Sequence, residues 1–177
     1  DLADESACAH LVGRAVEELG GIDVLVEHAA TQTPVDDFTD LTTEQLRRTF
    51  DVNVMGVFWT VREALPHMSE GGSIIITGSI NGLRGNTSLI DYASSKSAVM
   101  NLSVSLSQLL MDQGIRVNCV APGPVWTPLI PATLGKRGTE GFGQQAPMGR
   151  AADPDEIAPS YVFFASERLS SYYTGET

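Results

Sequence analysis

The sequence has 177 residues, and 42% of them are hydrophobic, which is enough for one globular unit with a hydrophobic core. Its 22 acidic and 11 basic residues give a formal net charge of -11 without a basic cluster, so we expect no nucleic-acid partner. No apolar run approaches the roughly 20 residues that span a bilayer, so we expect no membrane partner either.

The two cysteines, Cys8 and Cys119, are far apart in the sequence and lack the spacing of metal ligands. Cys8 lies in a helical pattern and Cys119 in an apolar strand pattern, so we interpret both as buried small residues, with no disulfide and no metal site. Unpaired cysteines are typical of a reducing compartment, and the predicted location is therefore the cytoplasm.

The chain opens with a helical pattern followed by a strand pattern. Apolar or small residues follow a helical period over 5–19, and Gly20-Gly21 ends that helix. The apolar run from Ile22 to Val26 then predicts a short buried strand.

The same alternation repeats through the middle of the chain. Thr42 or Thr43 caps a helical pattern that is interrupted near Asn53 and continues to about Met68. The stretch "SIIITGS", which follows a pair of glycines, is a β-branched run typical of a strand that is covered on both faces.

The last third of the chain adds one more strand between helices. Residues 91–112 form another helical pattern, and "IRVNCVAPG" predicts a third strand that ends at Pro122-Gly123. Residues 124–147 are rich in Pro, Gly and Thr and predict a mobile loop. A final helix begins after Asp153 as its N-cap, with proline at the first helical position and glutamate at the third.

Strands that alternate with helices predict an α/β fold, a doubly wound parallel sheet with helices on both faces. Only three strands are visible, and a parallel sheet of three strands exposes unpaired apolar edges. We therefore expect residues 1–177 to form a single but incomplete domain, part of a larger one.

Tyr92 and Lys96 lie four positions apart in the helical pattern 91–112 and so point into one space. A lysine ammonium about 4 Å from a phenol favours the phenolate by roughly 4 kcal/mol at an effective dielectric of about 20. That interaction lowers a tyrosine pKa from about 10 towards about 7, where the residue exchanges a proton with an alcohol or carbonyl oxygen. The same spacing also occurs on the polar face of ordinary helices, so the pair alone does not distinguish a catalytic site from an ordinary helix surface.

Ser79 and Asn53 are two further polar residues that could form a catalytic site together with Tyr92 and Lys96. Ser79 follows the strand "SIIITGS", and open α/β sheets bind ligands at the carboxyl ends of their strands. It is either a turn cap or a hydroxyl that contacts the same substrate oxygen as Tyr92, and the Gly-x-Ser-x-Gly motif of a nucleophile elbow is absent. Asn53, a poor helix-interior residue, is either a helix break or a polar group or freed carbonyl facing the site.

These residues together resemble the short-chain dehydrogenase/reductase family. Ser79 precedes "Y-x-x-x-K" by thirteen residues, with "N-V-x-G" upstream and "R-V-N-x-V-A-P-G" downstream. The resemblance covers nearly the whole chain, and "APGPVWTPL" is similar to bacterial aldehyde or alcohol reductases and glucose-dehydrogenase-like members. It implies a Rossmann-like domain that transfers a hydride between NAD or NADP and a small alcohol, aldehyde or ketone.

The resemblance also implies a role for each site residue. Tyr92 is the general acid/base, and Lys96 lowers its pKa and binds the nicotinamide ribose. Ser79 orients the carbonyl group, and Asn53 holds a water that continues the proton relay. The residues implied to contact the cofactor are Asp1 and Leu2 at the adenine, Ala29 and Ala30 after the family's fourth strand, and Pro122, Gly123, Val125 and Thr127 at the nicotinamide. Residues 124–147 correspond to the substrate lid.

Two features depart from the family pattern. Glu27-His28 stand where the family usually has Asn-Asn, so the strand-linking role of the first asparagine is not expected of Glu27. We interpret His28 as a neutral hydrogen-bonding residue rather than a ligand. The family's glycine-rich phosphate-binding turn would precede Asp1 and its last strand would follow Thr177, so the resemblance implies a partial domain that lacks both.

The resemblance further implies that the protein forms a homo-oligomer, and two alternative functions remain to be compared with the oxidoreductase. Members of the family usually form tetramers through two long helices, which correspond here to 54–68 and 91–112. A non-catalytic relative, used for binding or assembly, is favoured slightly by Glu27 and by the missing glycine turn. A dehalogenase-like member is disfavoured because that group replaces the lysine at Lys96 with arginine.

Overall fold

The structure is a computed structural model that describes residues 1–177 except the side chains of Lys136 and Arg137. Three parallel strands form one sheet in the order β1-β2-β3: Val24–Glu27, Ser73–Thr77 and Arg116–Val120. Ser73 lies opposite Val24 on one side and opposite Arg116 on the other. The predicted α/β fold with a parallel sheet of three strands is confirmed.

Helices connect the strands and pack on the sheet. Those of the described chain, labelled α1 to α8 in order, are Glu5–Leu19, Thr43–Phe50, Gly56–Ala64, Ile80–Arg84, Ile90–Leu109, Leu129–Thr139, Pro154–Ala165 and Glu167–Ser170. Short 3-10 turns occur at Phe38–Asp40, Leu65–His67 and Met111–Gln113. Within this described part, none of the helices has the length and apolar character that crossing a membrane requires.

Three helix ends follow the capping chemistry expected from the sequence. Gly20 ends α1 in the left-handed conformation, with a φ of 83°, which glycine adopts without strain. The Thr42 hydroxyl accepts a hydrogen bond from the Gln45 backbone N–H at 3.1 Å and so begins α2. At α7 the backbone N–H of Asp153 donates to the Glu156 carboxylate at 2.9 Å, one half of a capping box.

The predicted interruption near Asn53 is one turn of π-helix, Asp51–Met55, between α2 and α3. Such a turn carries one extra residue, changes the direction of the side chains that follow and is frequent at functional sites. It buries Asn53 completely at 1% exposure. Gly56, the first residue of α3, allows a close approach, because a Cβ there would lie 2.8 Å from the backbone oxygen of Leu2.

The hydrophobic core lies between the sheet and helices α3 and α5. Every residue of β2 and β3 is buried, as expected for strands covered on both faces. Ile74, Ile76 and Val117 from these strands belong to one cluster with Val57 of α3 and Val99 of α5. This packing fixes the position of α5 relative to the carboxyl ends of β2 and β3.

β1 is shorter and less buried than the strand predicted over 22–26. It runs from Val24 to Glu27, and Val24 and Val26 are 40% and 44% exposed. One face of β1 is open because α7 packs against β2 and β3. At the other side of the sheet, the Gly175 N–H donates to the Val117 carbonyl at 2.7 Å, so the chain near 175 covers the edge of β3.

The stretch 124–147 contains helix α6, so the prediction of a loop throughout is wrong. The helix is kinked at Gly135, whose φ of 62° departs from helical geometry. Gln32, in the segment after β1, donates from its side-chain amide to the Thr133 hydroxyl at 2.9 Å. The high Pro and Gly content concealed a short helix that tertiary contacts hold in place.

Candidate active site

The carboxyl ends of β2 and β3 meet the first turns of α5, where Ser79, Tyr92 and Lys96 lie together. The Ser79 side chain lies close enough to the Tyr92 phenol to lower the pKa of that phenol. The Ser79 hydroxyl also accepts from the Asn81 backbone N–H at 3.1 Å, so it caps α4 as well as contacting the tyrosine. The ammonium nitrogen of Lys96 lies 5.8 Å from the centre of the Tyr92 ring. These three residues converge as the sequence predicted.

The pKa of Tyr92 is raised above its ordinary value, which is opposite to our expectation from the sequence. Burial of the phenol is the main cause, and the nearby Ser79 side chain lowers the pKa by less. The expected effect of Lys96 is weak because its ammonium points to the sheet, where it donates to the Thr77 carbonyl at 2.7 Å. Tyr92 is therefore a neutral phenol near pH 7.

Lys96 is 3% exposed, which makes it an unusually buried cation. Burial lowers its pKa from 10.5 to about 8. The side chain therefore stays mostly protonated at pH 7, although it loses its charge far more easily than an exposed lysine. A buried ammonium at this distance from the phenol supplies positive charge without a competing shell of water.

Asn53 is linked to this group through backbone and hydroxyl contacts. Its side-chain oxygen accepts from the Thr31 N–H at 2.7 Å, and its amide donates to the Thr31 carbonyl at 2.9 Å. The amide also donates to the Ser95 hydroxyl at 3.0 Å, and that hydroxyl donates to the Tyr92 carbonyl at 2.7 Å. The Asn53 side chain thus joins the segment after β1 to α5, and it does not itself enter the space between Tyr92 and Lys96.

His28 belongs to a polar cluster that the sequence did not reveal in full. Its Nδ1 lies 3.1 Å from the Thr77 hydroxyl, and that hydroxyl lies 2.9 Å from the Tyr161 hydroxyl of α7. Burial, with a smaller effect of the Lys96 charge, lowers the pKa of His28 and favours the neutral ring. This agrees with the interpretation of His28 as a neutral hydrogen-bonding residue. Tyr161 was missed because nothing in its helical pattern distinguishes it from a core position.

Glu27, at the end of β1, is a buried carboxyl group. It accepts a hydrogen bond from the Thr60 hydroxyl of α3 at 2.5 Å. Burial raises its pKa to about 7, although the bond from Thr60 acts in the opposite direction. Its hydrogen-bond partner lies on a helix and not on a neighbouring strand, as expected from the departure at this position.

Neither cysteines nor metal-binding groups contribute to the site. Cys8 and Cys119 are both free and buried, which confirms their interpretation as small core residues. Across the described residues, no group of three or more His, Cys, Asp or Glu side chains is arranged to hold a metal ion.

The predicted cofactor contacts divide between two cavities that meet at His28. A cavity of about 520 Å³ is lined by Ser79, Pro122, Val125 and Thr127. A second cavity of about 740 Å³ is lined by residues that include Leu2 and Ala29, and His28 lines both. Five other predicted contacts line neither cavity: Asp1, Ala30, Tyr92, Lys96 and Gly123. Asp1 instead pairs with Arg48 at 2.8 Å.

The residues present fit a nucleotide cofactor. The larger part of both cavity walls is apolar, and a few polar groups converge at the carboxyl ends of the strands. The cavity of about 520 Å³ lies at the carboxyl end of β2, where open α/β folds bind nucleotides, whereas the cavity of about 740 Å³ runs along α1 and the whole of β1. The fit rests on Leu2, Ala29, Pro122, Val125 and Thr127 for the apolar surface.

Comparison with known proteins agrees with this geometry. A family model described as enoyl-(acyl carrier protein) reductase matches residues 1–177. NADPH-dependent aldehyde reductase 1, chloroplastic, of Arabidopsis thaliana is 44% identical over 176 residues, 99% of this chain and 61% of the relative. Glucose and ribitol dehydrogenase homolog 2 of the same plant is 47% identical over 176 residues, again 99% and 61%.

Superposition on a solved structure shows that this chain and a short chain dehydrogenase share the same fold. A short chain dehydrogenase from Burkholderia cenocepacia J2315, in complex with NADP, superposes with a TM-score of 0.89 at 30% identity. The match covers 99% of this chain and 71% of that one. The chain thus spans about three fifths of the length of the curated relatives named above. The resemblance predicted from the sequence motifs is confirmed.

Proposed function

This chain belongs to the short-chain dehydrogenase/reductase family, and we propose that the protein is an oxidoreductase that interconverts small alcohols and carbonyl compounds with NAD or NADP. The observation that carries the proposal is the convergence of Tyr92, Ser79 and the buried ammonium of Lys96 at the carboxyl end of β2. A phenol donor, a second hydroxyl and a positive charge at one strand end suit proton transfer to a carbonyl oxygen.

Tyr92 is the proposed general acid/base. Because burial keeps its phenol protonated near pH 7, it donates the proton to the substrate oxygen in the reductive direction. Ser79 holds the same oxygen by a hydrogen bond. The ammonium of Lys96, which bonds to the Thr77 carbonyl, contributes only weakly to stabilising the tyrosinate that proton transfer leaves behind. Asn53 is the proposed support of the proton relay, and its bonds to Thr31 and Ser95 keep the π-turn against α5.

The cofactor supplies or accepts the hydride when bound. The residues proposed to contact it are Asp1, Leu2, Ala29, Ala30, Tyr92, Lys96, Pro122, Gly123, Val125 and Thr127. The apolar walls of the cavity that Ser79 lines are proposed to exclude water from the reacting carbon, and Lys96 is the proposed partner of the nicotinamide ribose. NAD and NADP both remain candidates, because none of these side chains distinguishes a 2′-hydroxyl from a 2′-phosphate.

The proposed substrate is a small aldehyde, ketone or sugar-like alcohol. The similarity to an aldehyde reductase and to a glucose and ribitol dehydrogenase homolog supports this class. The non-catalytic alternative has less support, because these relatives carry the names of enzymes and the Tyr92, Ser79 and Lys96 side chains lie in contact or close together.

We also propose that the protein is a homo-oligomer, with a tetramer as the family precedent. An apolar groove of about 340 Å³ runs between α3 and α5 and is lined by Met55, Phe58, Trp59, Val61, Arg62, Leu65, Leu102 and Leu106. Phe58 is 47% exposed there, and a large exposed apolar patch is typical of a protein interface.

Residues 1–177 are proposed to be part of a larger Rossmann-like domain in the cytoplasm. The share of the relatives that the chain covers, together with the exposed valines of β1, supports the partial domain. The two free, buried cysteines support a reducing compartment.

The proposal is tested with Tyr92→Phe in the full-length protein, assayed by the absorbance of the reduced cofactor over a panel of small aldehydes and sugars. We expect turnover to fall at least about 100-fold, the lower range for loss of a general acid, while binding of the reduced cofactor changes less than about threefold. Tyr172→Phe, which alters a tyrosine 99% exposed, is the matched control. Near-normal turnover by Tyr92→Phe would contradict the proposal.

A further inference from the structure

A carboxylate next to Tyr92 is almost completely buried. Asp91 is 1% exposed and lies in the first turn of α5. One carboxylate oxygen accepts from the Thr49 hydroxyl at 2.6 Å and from the Gln45 amide at 3.3 Å. The other accepts from the Tyr92 backbone N–H at 2.9 Å. Since a buried carboxylate is costly without such partners, these bonds define one position for the residue.

These contacts replace an ordinary helix cap. The first N–H groups of a helix have no partner within it, and the residue before the helix usually supplies one. Here that residue is Leu89, whose side chain forms no capping bond. Asp91 satisfies the Tyr92 N–H instead, and through Thr49 and Gln45 it fastens the first turn of α5 to α2.

The anchoring repeats one turn later. Asp91 precedes Tyr92 and Ser95 precedes Lys96, so the two anchors share one face of α5 and the two site residues share the next. Ser95 is bound by the Asn53 amide at 3.0 Å, as Asp91 is bound from α2. The Gln45 amide also donates to the Thr33 carbonyl at 3.0 Å, which brings the segment after β1 into the same network.

From these contacts we propose that Asp91 is a positioning residue for Tyr92, acting through Thr49 and Gln45 to fix the first turn of α5. The proposal rests on the proposed function, in which Tyr92 transfers the proton. Asp91 itself is not a catalytic residue, because its side-chain partners lie on α2, outside the space shared by Tyr92 and Lys96. A phenol displaced by about 1 Å loses up to about 100-fold in rate, so an anchor at the adjacent residue has a measurable effect.

The experiment compares Asp91→Asn, Thr49→Val and Thr49→Ser in the full-length protein, with Ser103→Ala as control. Ser103 is a buried hydroxyl on the same helix that donates only to the Met100 carbonyl, two turns beyond the site. Measurements are kcat, KM, the Kd of the reduced cofactor, the pH profile of kcat and the melting temperature.

We expect Asp91→Asn and Thr49→Val to lower kcat by about 10- to 100-fold with KM and cofactor Kd within about threefold, and to displace the Tyr92 limb of the pH profile. Thr49→Ser, which keeps the hydroxyl, should recover most of the lost kcat, and Ser103→Ala should match the wild type.

Two outcomes overturn the inference. In one, Asp91→Asn and Thr49→Val turn over at the wild-type rate while Tyr92→Phe is inactive, so the proposed function survives and the positioning role does not. In the other, both variants lose cofactor affinity, melting temperature and kcat together and the pH profile keeps its shape, which is the result of a structural role alone. Normal turnover by Tyr92→Phe would instead reject the proposed function, and any effect at Asp91 would then have another cause.

Discussion

The ammonium of Lys96 donates a hydrogen bond to the backbone carbonyl of Thr77 at 2.7 Å, which ties the second turn of α5 to the last residue of β2. The same threonine contacts His28 and Tyr161 through its hydroxyl. Thr77 thus joins the lysine on one side of the strand end to a polar cluster on the other. This anchor explains why the ammonium lies beside the Tyr92 ring rather than against its hydroxyl.

Lys96→Met tests the cost of burying this ammonium. The native pKa of about 8 lies below the ordinary 10.5, so the unfolded chain binds the proton more tightly and the charge destabilises the fold below about pH 8. We expect Lys96→Met to be more stable than the wild type by about 3 kcal/mol at pH 7, a difference that shrinks as the pH rises from about 8 to 10.5. Chemical denaturation across this range measures it.

Lys96→Arg is the matched control, because a guanidinium keeps its charge throughout the range. Its stability relative to Lys96→Met should not recover at high pH. Wild-type and Lys96→Met curves that stay parallel from pH 7 to about 10.5 would show that the lysine is not buried as described.

The sequence predicted the parts of the fold that depend on local chemistry. The β-branched run around Ile75 gave a fully buried strand, and Gly20, Thr42 and Asp153 marked helix ends by capping rules that act within a few residues. The sequence predicted exposed apolar edges for a sheet of three strands, but it did not identify β1, predicted as buried, as an exposed strand, because that depends on which elements cover the sheet. The spacing of a single strand does not contain that information.

The proximity of the candidate site residues was predictable from the sequence, but their electrostatics were not. The spacing of Ser79, Tyr92 and Lys96 brought them together as expected. The direction of the Tyr92 pKa was wrong because burial of the phenol outweighs a lysine that bonds elsewhere, and neither quantity follows from spacing. The Asp91 anchor was missed for a related reason: its partners, Thr49 and Gln45, lie more than forty residues away in the chain.

Glu27→Gln tests the second buried ionisable group. The pKa of Glu27 is raised from 4.5 to about 7, so the folded protein holds a proton that the unfolded chain releases above about pH 4.5. This contribution to stability is complete below pH 4.5 and disappears as the pH rises through about 7. We expect Glu27→Gln to equal the wild type near pH 4 and to be more stable by about 3 kcal/mol at pH 8.

The control for this change is Glu17→Gln, the same substitution at a glutamate that is exposed on α1. Urea denaturation at several pH values between about 4 and 8 measures both variants. A Glu27→Gln protein that tracks the wild type over the whole range would contradict a buried carboxyl at this position.

The groove between α3 and α5 has the composition of an interface that buries aromatic and aliphatic side chains. Phe58 and Trp59 lie on one wall and Leu102 and Leu106 on the other, and Arg62 is the one charged side chain that lines it. Apolar lining with few charges matches the buried centre of a homodimer interface. A second copy of the same groove is therefore its proposed partner, since identical helices meet about a two-fold axis in most homo-oligomers.

Phe58→Glu tests this assembly, with the molar mass measured by light scattering after gel filtration. Each copy would bring a carboxylate into an apolar contact and lose a buried ring worth about 2 kcal/mol, which weakens association by at least about 30-fold. We therefore expect a shift to a smaller species at micromolar concentration. Phe38→Glu, at an exposed phenylalanine outside the groove, should keep the wild-type mass. An unchanged mass for Phe58→Glu would show that this surface is not the interface.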